Sequence, residues 1–523
     1  MGNKWKKTVA MGLVLTTSLG LAACGSSTTG ASADKSKDEV VKPDQIKVMA
    51  DGTVVTEPNG AEEFYAQLKD ATGVDVEWIR PDHSGYYDAV ANAFNDESSI
   101  PDVVILSSDY YALYAASGML WNMSDAWKES DIESRLVDSA KNIYQTYQVK
   151  GDDGEDGLYG LCPVATGAGC CTYVKEEWLK QAGYQRSDIE DKTLTFDEYY
   201  TMLKKMHEAT GKTVLSASGY VGKDAPYTNY LPEFYQQAKF SFYKDASGKY
   251  VDGFSEQAMK DALERIKTGV ADGIIDKESI NNSTADVRNK FYADNTGVFT
   301  YWYGTWAKTL KDTCADKGLG DLIAIKPIKE LGFYSMRVEP VFAITSNAKN
   351  PEGIFEYWLS KMVDGGEVQR LWTYGAKGTH WDDKAETVTL EGKEDQPDTY
   401  EEGQFHFLPS PEKPTGYMQK NYVDPGSGIT KLEIGDPAYD AMSDVIKDNK
   451  KFFLANCEPS TIIPMTDEYG DNISDINKAR NLAVANVVTG EMSADEAIKD
   501  YNDKVGSLVK IVQDSLNKLD GTK

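Results

Sequence analysis

An open α/β fold divided into two domains is predicted for this 523-residue chain, and three observations predict it. Strand-like and helix-like stretches alternate from about residue 45 onward. Pro101 introduces Asp102-Val103-Val104-Ile105-Leu106, a continuous β-branched run of the kind buried on both faces of a parallel sheet. The foldable length is too great for one hydrophobic core.

The elements follow in order. Gln45 to Ala50 alternates weakly and reads as a first strand. Ala61, Phe64, Tyr65 and Leu68 fall at helical spacing, with Glu62 and Glu63 in the first turn and Gly73 as the stop. Val74 to Ile79 alternates as a second strand, residues 86–94 read as a helix, and residues 102–106 make the third strand. Strand, helix, strand, helix, strand is the pattern of an open α/β sheet. Further on, Thr195-Phe196-Asp197-Glu198 is a capping box, followed by an apolar stripe of Phe196, Tyr199, Leu203 and Met206 that ends at Gly211. Ser255 is read as opening a helix with Met259, Ala262, Leu263, Ile266 and Val270 inside. Asn350-Pro351 opens another, because proline suits the first helical position; its inner face carries Phe355, Trp358, Leu359 and Met362. Ser493-Ala494-Asp495-Glu496 is a second capping box and starts a C-terminal helix. Residues 382–404 are acidic and poor in large aliphatics and read as an inserted hairpin or surface loop. Lys413 to Gly428 reads as a long connection.

The N-terminus has its own logic. Lys4, Lys6 and Lys7 precede an apolar stretch, Met11 to Leu21, that is too short for a stable membrane-spanning helix. Small residues then lead to Cys24. This order looks like a bacterial lipoprotein signal, cut before Cys24 and lipidated on its thiol, so residues 1–23 are expected to be a signal peptide. Residues 24–44 begin with the small, polar run Gly25 to Asp34, which has too little apolar surface to fold and reads as a flexible tether. The formal net charge is −28. Such a surface repels nucleic acid and favours solubility; no nucleic-acid partner is expected.

An enzyme of this size should show catalytic grammar, and none is coherent. Gly211-Lys212-Thr213 resembles the end of a phosphate loop, but Met206 stands where the first glycine belongs and a helix precedes it. No Gly-x-Ser-x-Gly elbow occurs. The four histidines, His83, His207, His380 and His406, do not sit at metal-ligand spacing. The turn Asp152-Asp153-Gly154-Glu155-Asp156-Gly157 lacks the alternating spacing and distal Glu of a Ca²⁺ loop and reads as a solvated hairpin tip. Apart from Cys24, the cysteines are Cys162, Cys170, Cys171, Cys314 and Cys457, an odd number at irregular spacing, so they read as small buried hydrophobes with room for one long-range disulfide. No cofactor and no metal is expected.

What the sequence has in surplus is aromatic residues, with 31 tyrosines and 10 tryptophans, clustered at expected loop positions. Tyr301-Trp302-Tyr303-Gly304-Thr305-Trp306 follows a turn entering a strand, so Tyr301 and Tyr303 would share one face and Trp302 the other. Asp109-Tyr110-Tyr111 follows the buried strand at its carboxyl end, where open α/β sheets bind ligands. Trp372-Thr373-Tyr374-Gly375 and His380-Trp381 form a third group. Flat rings flanked by polar groups suit the apolar faces and polar rims of pyranose sugars.

Several segments, in order, resemble the bacterial extracellular solute-binding proteins of family 1, the carbohydrate-binding partners of ABC importers. They are Pro101-Asp102-Val103-Val104-Ile105, Gly118-Met119-Leu120-Trp121-Asn122-Met123, Leu158-Tyr159-Gly160-Leu161-Cys162-Pro163, Tyr173 to Gly183 with Lys175, Trp178 and Leu179, Thr195 to Tyr199, and Ala348-Lys349-Asn350-Pro351-Glu352. Length and the segment from Tyr374-Gly375 to His380-Trp381 resemble the larger, oligosaccharide-type subgroup, with Ala376-Lys377 in place of its usual Ile-Glu.

The resemblance implies a two-lobed α/β fold of the periplasmic-binding-protein type, with crossover hinge strands and a ligand cleft between the lobes. The first lobe is expected to hold 45–155 and 298–348, and the second 156–297 and 349–523 with the C-terminal helices. It implies a monomer, tethered by lipid to the extracellular face of a bacterial, Gram-positive-type cell membrane, which closes over a carbohydrate and docks on the permease subunits. The expected contacts are Asp109, Tyr110, Tyr227, Tyr230, Trp302, Tyr303, Arg337, Tyr374, His380 and Trp381. Rings would stack, and Asp109, Arg337 and His380 would hydrogen-bond hydroxyls. The competing readings are a binding protein for another solute such as a peptide, with Arg337 and Glu339 as clamps, and a surface glycoside hydrolase.

Overall fold

The computed structural model describes residues 40–52, 60–82, 85–136, 147–162, 169–220, 231–336, 340–389, 394–409 and 444–519. In chain order the strands are β1 (Gln45–Met49), β2 (Asp75–Ile79), β3 (Val103–Leu106), the hairpin β4 (Gln148–Lys150) and β5 (Asp156–Leu158), β6 (Gly160–Leu161), β7 (Cys170–Lys175), the hairpin β8 (Phe242–Lys244) and β9 (Tyr250–Asp252), β10 (Val298–Trp302), β11 (Leu322–Ala324), β12 (Tyr334–Met336), β13 (Val341–Ile344), β14 (Trp381–Asp382), β15 (Glu386–Val388), β16 (Asp398–Tyr400), β17 (His406–Phe407) and β18 (Cys457–Pro459).

These strands serve two separate hydrophobic cores. The first is built on a five-stranded sheet in the order β2-β1-β3-β13-β6. Strands β1, β2 and β3 are parallel and joined through helices α1 (Ala61–Thr72) and α2 (Tyr86–Phe94), as the alternation of the sequence requires. Every residue of β3 is buried. Gly73 closes α1 in the left-handed conformation, φ 64°, and its amide donates to the Lys69 carbonyl. The second core surrounds a three-stranded sheet in the order β10-β7-β11, antiparallel throughout. Helices Phe196–Thr210 and Gln257–Ala271 pack against it, as do the C-terminal pair Asp467–Val488 and Ala494–Leu519.

Two of the chain's passages between the cores are flanked by paired strands among the described residues. Leu161 pairs with Phe342 inside the first sheet. Gly169 and Met336 then form an antiparallel bridge on the second-core side. Only glycine fits at 169, because a Cβ there would lie 2.2 Å from the Phe453 ring and 2.9 Å from the Ser335 carbonyl oxygen. Strand β18 adds alongside β12 in parallel, and Met465 just beyond it packs against both cores.

The lobe boundaries expected from sequence therefore move. Residues 298–336 belong to the second core, because β10 pairs with β7 over its whole length. Residues 341–376 belong to the first, through β13 and through Phe355, Trp358, Leu359 and Trp372. A β-branched or aromatic strand suits either sheet, and only its pairing partner decides which one it joins.

Several local readings hold. The capping boxes at Thr195 and Ser493 both close, the amides of Glu198 and Glu496 donating to the hydroxyls at 3.3 and 3.2 Å. Residues 386–388 and 398–400 form the inserted hairpin. The acidic run lies at the tip of the β4–β5 hairpin, where the Gly151 amide donates to the Glu155 carbonyl. The helix expected from Ser255 starts later, with Glu256 as N-cap, because residues 253–255 form a 3₁₀ turn capped by Asp252. Cys171 and Cys314 are buried free thiols, Cys162 and Cys170 are buried, and Cys457 is half-buried and free. The connection Lys413–Gly428 lies outside the described residues. No helix among the described residues is long and apolar enough to cross a membrane.

One buried ion pair fastens the C-terminal helices to the second core. Arg480, fully buried among the rings of Phe240, Phe242 and Phe254, donates to Asp252 Oδ1 at 2.7 Å. Tyr501 donates to the other carboxylate oxygen at 3.0 Å. Removing one partner of such a pair strands the other charge in the core, at a cost of about 3–5 kcal/mol.

Candidate functional site

In an open α/β sheet, the carboxyl ends of the strands leave a crevice lined by the following loops. In the first core β3 ends at Leu106, and helix α3 (Ser108–Ala116) starts with Ser107 as N-cap. Tyr110 lies in its first turn. Its ring stacks on Tyr87 of α2, with centroids 4.0 Å apart and planes 2° from parallel. The Tyr87 hydroxyl oxygen accepts the Ser107 amide at 2.8 Å, so the pair is anchored to the strand end. Beneath it, the buried Tyr86 hydroxyl lies 3.0 and 2.8 Å from the carbonyl oxygens of Met49 and Ile105, bracing β1 and β3. The stack continues inward through Tyr114 to Phe94. Burial and the neighbouring Tyr110 push the Tyr114 hydroxyl up to about 12. Tyr87 and Tyr110 are half-buried, so this edge keeps ring surface toward solvent. Asp109 lies beside Tyr110 in the first turn of α3.

In the second core the corresponding edge is the end of β10. Trp302 is half-buried, opposite Cys170 in the register. Gly304 then takes φ 71°, ψ −127° and turns the chain into the helix Thr305–Asp316, a backbone geometry that favours glycine. Its amide donates to Asn449 Oδ1 at 2.6 Å, and Tyr173 and Asn449 are hydrogen-bonded in turn. Trp306, in the first turn of that helix, is 46 % exposed. One ring edge rests on Tyr301, with centroids 6.4 Å apart and planes at 80°. An exposed tryptophan held edge-on by a buried ring presents its face as a platform. The sequence pattern marks this cluster and favours Trp302 and Tyr303 within it; the helical turn created by Gly304 is what brings Trp306 out.

Four expected contacts are instead committed to packing. Tyr303 is buried and stacks on Phe453 at 4.2 Å and 5°. Tyr374 and Trp381 form a small satellite cluster with Phe405 and Phe407. The Trp381 Nε1–H donates to the Gly375 carbonyl at 2.9 Å. His380 is buried, and its Nδ1 accepts the Ala376 amide at 2.8 Å. Residues 374–381 form a tight turn in which close neighbours in sequence supply most of the partners, so these polar groups are satisfied locally. The segment is held to α1 by a pair of hydrogen bonds between the Gln67 amide and the Lys377 backbone, 2.9 and 3.0 Å. Tyr227, Tyr230, Arg337, Glu339 and Cys24 lie outside the described residues.

The other titratable clusters are structural. Lys175 is fully buried and donates to Asp294 Oδ1 and the Phe291 carbonyl, both at 2.8 Å, while Trp178 donates to the same carboxylate oxygen. Burial lowers the Lys175 ammonium, and Asp294 opposes that. His406 pairs with Glu386 at 2.7 Å and stacks on Tyr400 within the satellite hairpin. Among the described residues no group of three or more His, Cys, Asp or Glu is placed to hold a metal ion. The arrangement offers rings at the carboxyl ends of β3 and β10.

Known proteins agree with this architecture. Bacillus subtilis strain 168 has a polygalacturonan/rhamnogalacturonan-binding protein, YtcQ, that is 23 % identical over 503 residues and covers 91 % of each chain. The solved N-glycan transport solute-binding protein NgtS of Streptococcus pneumoniae superposes with a TM-score of 0.61 at 19 % identity, over 91 % of this chain and 99 % of that one. An HMO-binding, ABC-transporter-associated solute-binding protein from Bifidobacterium longum infantis gives 0.62 at 15 %, with the same coverage. These likenesses show the two-lobed fold. The sequence profile described as bacterial extracellular solute-binding protein matches residues 52–359, more than half of the chain, and the chain belongs to that family.

Proposed function

We propose that this protein is the capture component of an ABC importer for an oligosaccharide, with the two cores as its lobes and the solute held between the strand ends. The observation that carries the reading is Trp306, a large ring left 46 % exposed at the carboxyl end of β10, matched in the first core by the half-buried Tyr87–Tyr110 stack. Trp306, Trp302, Tyr87 and Tyr110 supply stacking surface, and Asp109 accepts sugar hydroxyls. The solute leaves unchanged for the permease, without bond cleavage. Ligand contacts both lobes only when they are closed, so binding shifts the population toward the closed form. The names of the relatives, a polygalacturonan/rhamnogalacturonan-binding protein for YtcQ and an N-glycan transport protein for NgtS, support a carbohydrate. The protein acts as a monomer tethered by lipid on Cys24 to the outer face of the cell membrane, in keeping with the signal-like Leu21-Ala22-Ala23-Cys24.

Tryptophan fluorescence titrated with galacturonic-acid oligomers, rhamnogalacturonan fragments and N-glycan fragments tests the substrate class. Saturable quenching by one of them is expected. A response to peptides alone overturns it, and release of reducing ends from a bound glycan would make the protein an enzyme. For the anchor, Cys24→Ser should release the protein into the medium and abolish labelling by a palmitate analogue.

A further inference from the structure

The second core holds a carboxylic acid that sugar stacking does not use. Glu233 sits on the short helix Pro232–Tyr235 and is 1 % exposed. Its Oε1 accepts the Thr172 hydroxyl at 2.6 Å, and that hydroxyl lies 2.9 Å from Thr300 Oγ1 on the paired strand. Among the described residues, the carboxyl is met by Thr172 from β7, with Thr300 of β10 behind it, and is influenced by Tyr334 from β12, Tyr199 from the helix Phe196–Thr210 and Cys171 on the other face of β7. All are uncharged at neutral pH. Arg265, from the helix Gln257–Ala271, approaches the same short helix but donates to the carbonyls of Phe234 and Tyr235, at 2.7 and 3.4 Å. Burial therefore outweighs the hydroxyl donors and pushes the Glu233 carboxyl up to about 7.

The position matters as much as the burial. Thr172 lies three residues after Gly169, and Tyr334 two residues before Met336; Gly169 and Met336 form the bridge where the chain passes between the cores. The Tyr334 hydroxyl accepts the Thr172 amide at 3.4 Å and spends its one proton on the Ile325 carbonyl at 2.9 Å. A protonated Glu233 leaves that arrangement intact. Among the described residues an ionised Glu233 meets hydroxyl donors and no cation, and the Tyr334 hydroxyl is among the groups that oppose the effect of its burial. Turning that proton to the carboxylate breaks its bond to Ile325 and loosens β12 beside the crossing.

We propose that Glu233 is a proton-linked positioning residue, whose neutral carboxyl holds the second-core ends of the two crossing segments at Gly169 and Met336 in the arrangement that captures solute and whose ionisation releases them. This rests on the solute-capture reading above and adds regulation to it. The test compares affinity at about pH 5.5 and pH 8 for the wild type, Glu233→Gln and Tyr334→Phe. The probes are a mannosyl-N-acetylglucosamine disaccharide and a galacturonic-acid oligomer. The wild type should bind at least about fivefold more weakly at the higher pH, the low end of ordinary coupling between sites. Both variants should bind equally well at the two values. A wild type with the same affinity at both, or variants that keep its pH dependence, overturns the proposal. If neither probe binds at either pH, the capture reading fails for these sugars, and small-angle scattering of the unliganded chain decides the linkage separately. Scattering that changes with pH in the wild type and not in Glu233→Gln supports it, and unchanged wild-type scattering overturns it.

Discussion

Two aromatic clusters that look alike in the sequence have opposite fates in the structure. Tyr301 to Trp306 and Tyr374 to Trp381 are both rich in rings and both contain glycine. In the first, Gly304 turns a strand into a helix and carries Trp306 outward, with only its edge supported. In the second, Gly375 closes a turn that folds Trp381 back so that its N–H meets the Gly375 carbonyl. Phe405 then stacks on the Trp381 ring at 5.1 Å and covers it. The difference teaches that an aromatic cluster becomes a platform when its backbone diverges from its neighbours, and a core when a later strand returns to cover it.

The strongest way to break this comparison is Trp381→Ala. A buried tryptophan truncated in this way costs about 3–5 kcal/mol, seen as a lowered denaturation midpoint, while glycan affinity stays within about twofold. A large loss of affinity at unchanged stability would turn the satellite cluster into a binding surface. The next effect concerns the buried carboxyl of the second core. The folded value of Glu233, about 7, lies above its ordinary 4.5. The folded state therefore binds the proton more tightly than the unfolded one. Its stability is fully present below about pH 4.5, and is lost as pH rises through 7, by up to about 3 kcal/mol. Thermal melts should show Glu233→Gln gaining over the wild type at pH 8 and matching it near pH 5; a parallel pH profile for the two would refute this.

Smaller still is the effect of Trp306→Ala, which should weaken glycan binding by about 1–2 kcal/mol, roughly tenfold, as for a stacking anchor. Calorimetric titration reads it, and the melting temperature should not move. Smallest is Tyr110→Ala, which removes one ring of the first-core stack and costs about 0.5–1.5 kcal/mol. Paired with Tyr87→Ala in a double-mutant cycle, it should be non-additive, because the two rings act as one surface. Simple additivity would show that only one of them meets the solute.

Much of the local structure was legible from residues close in sequence. The capping boxes at Thr195 and Ser493, the glycine stop at 73 and the buried run 103–106 each need only a few neighbours to be recognised. The site was less legible. Tyr110 stands at a strand end, as its position after β3 implied, yet its stacking partner Tyr87 comes from a different helix. Trp306 carries no local mark that separates it from Tyr303. One is exposed and the other is stacked on Phe453, which lies far along the chain.

By itself, then, the sequence determined which segments become helices and strands, which face of each is apolar, the α/β class and the family resemblance, since all of these rest on periodicity, caps and ordered short motifs. Only the tertiary structure decided which core each segment joins, where the chain crosses between cores, which rings stay open to solvent and that Glu233 is sealed among uncharged hydroxyls. The physical reason is that an apolar face specifies burial without specifying a partner. Strands 298–302 and 341–344 satisfy the same pattern, and only their pairing with 170–174 and 103–106 sends them to different cores.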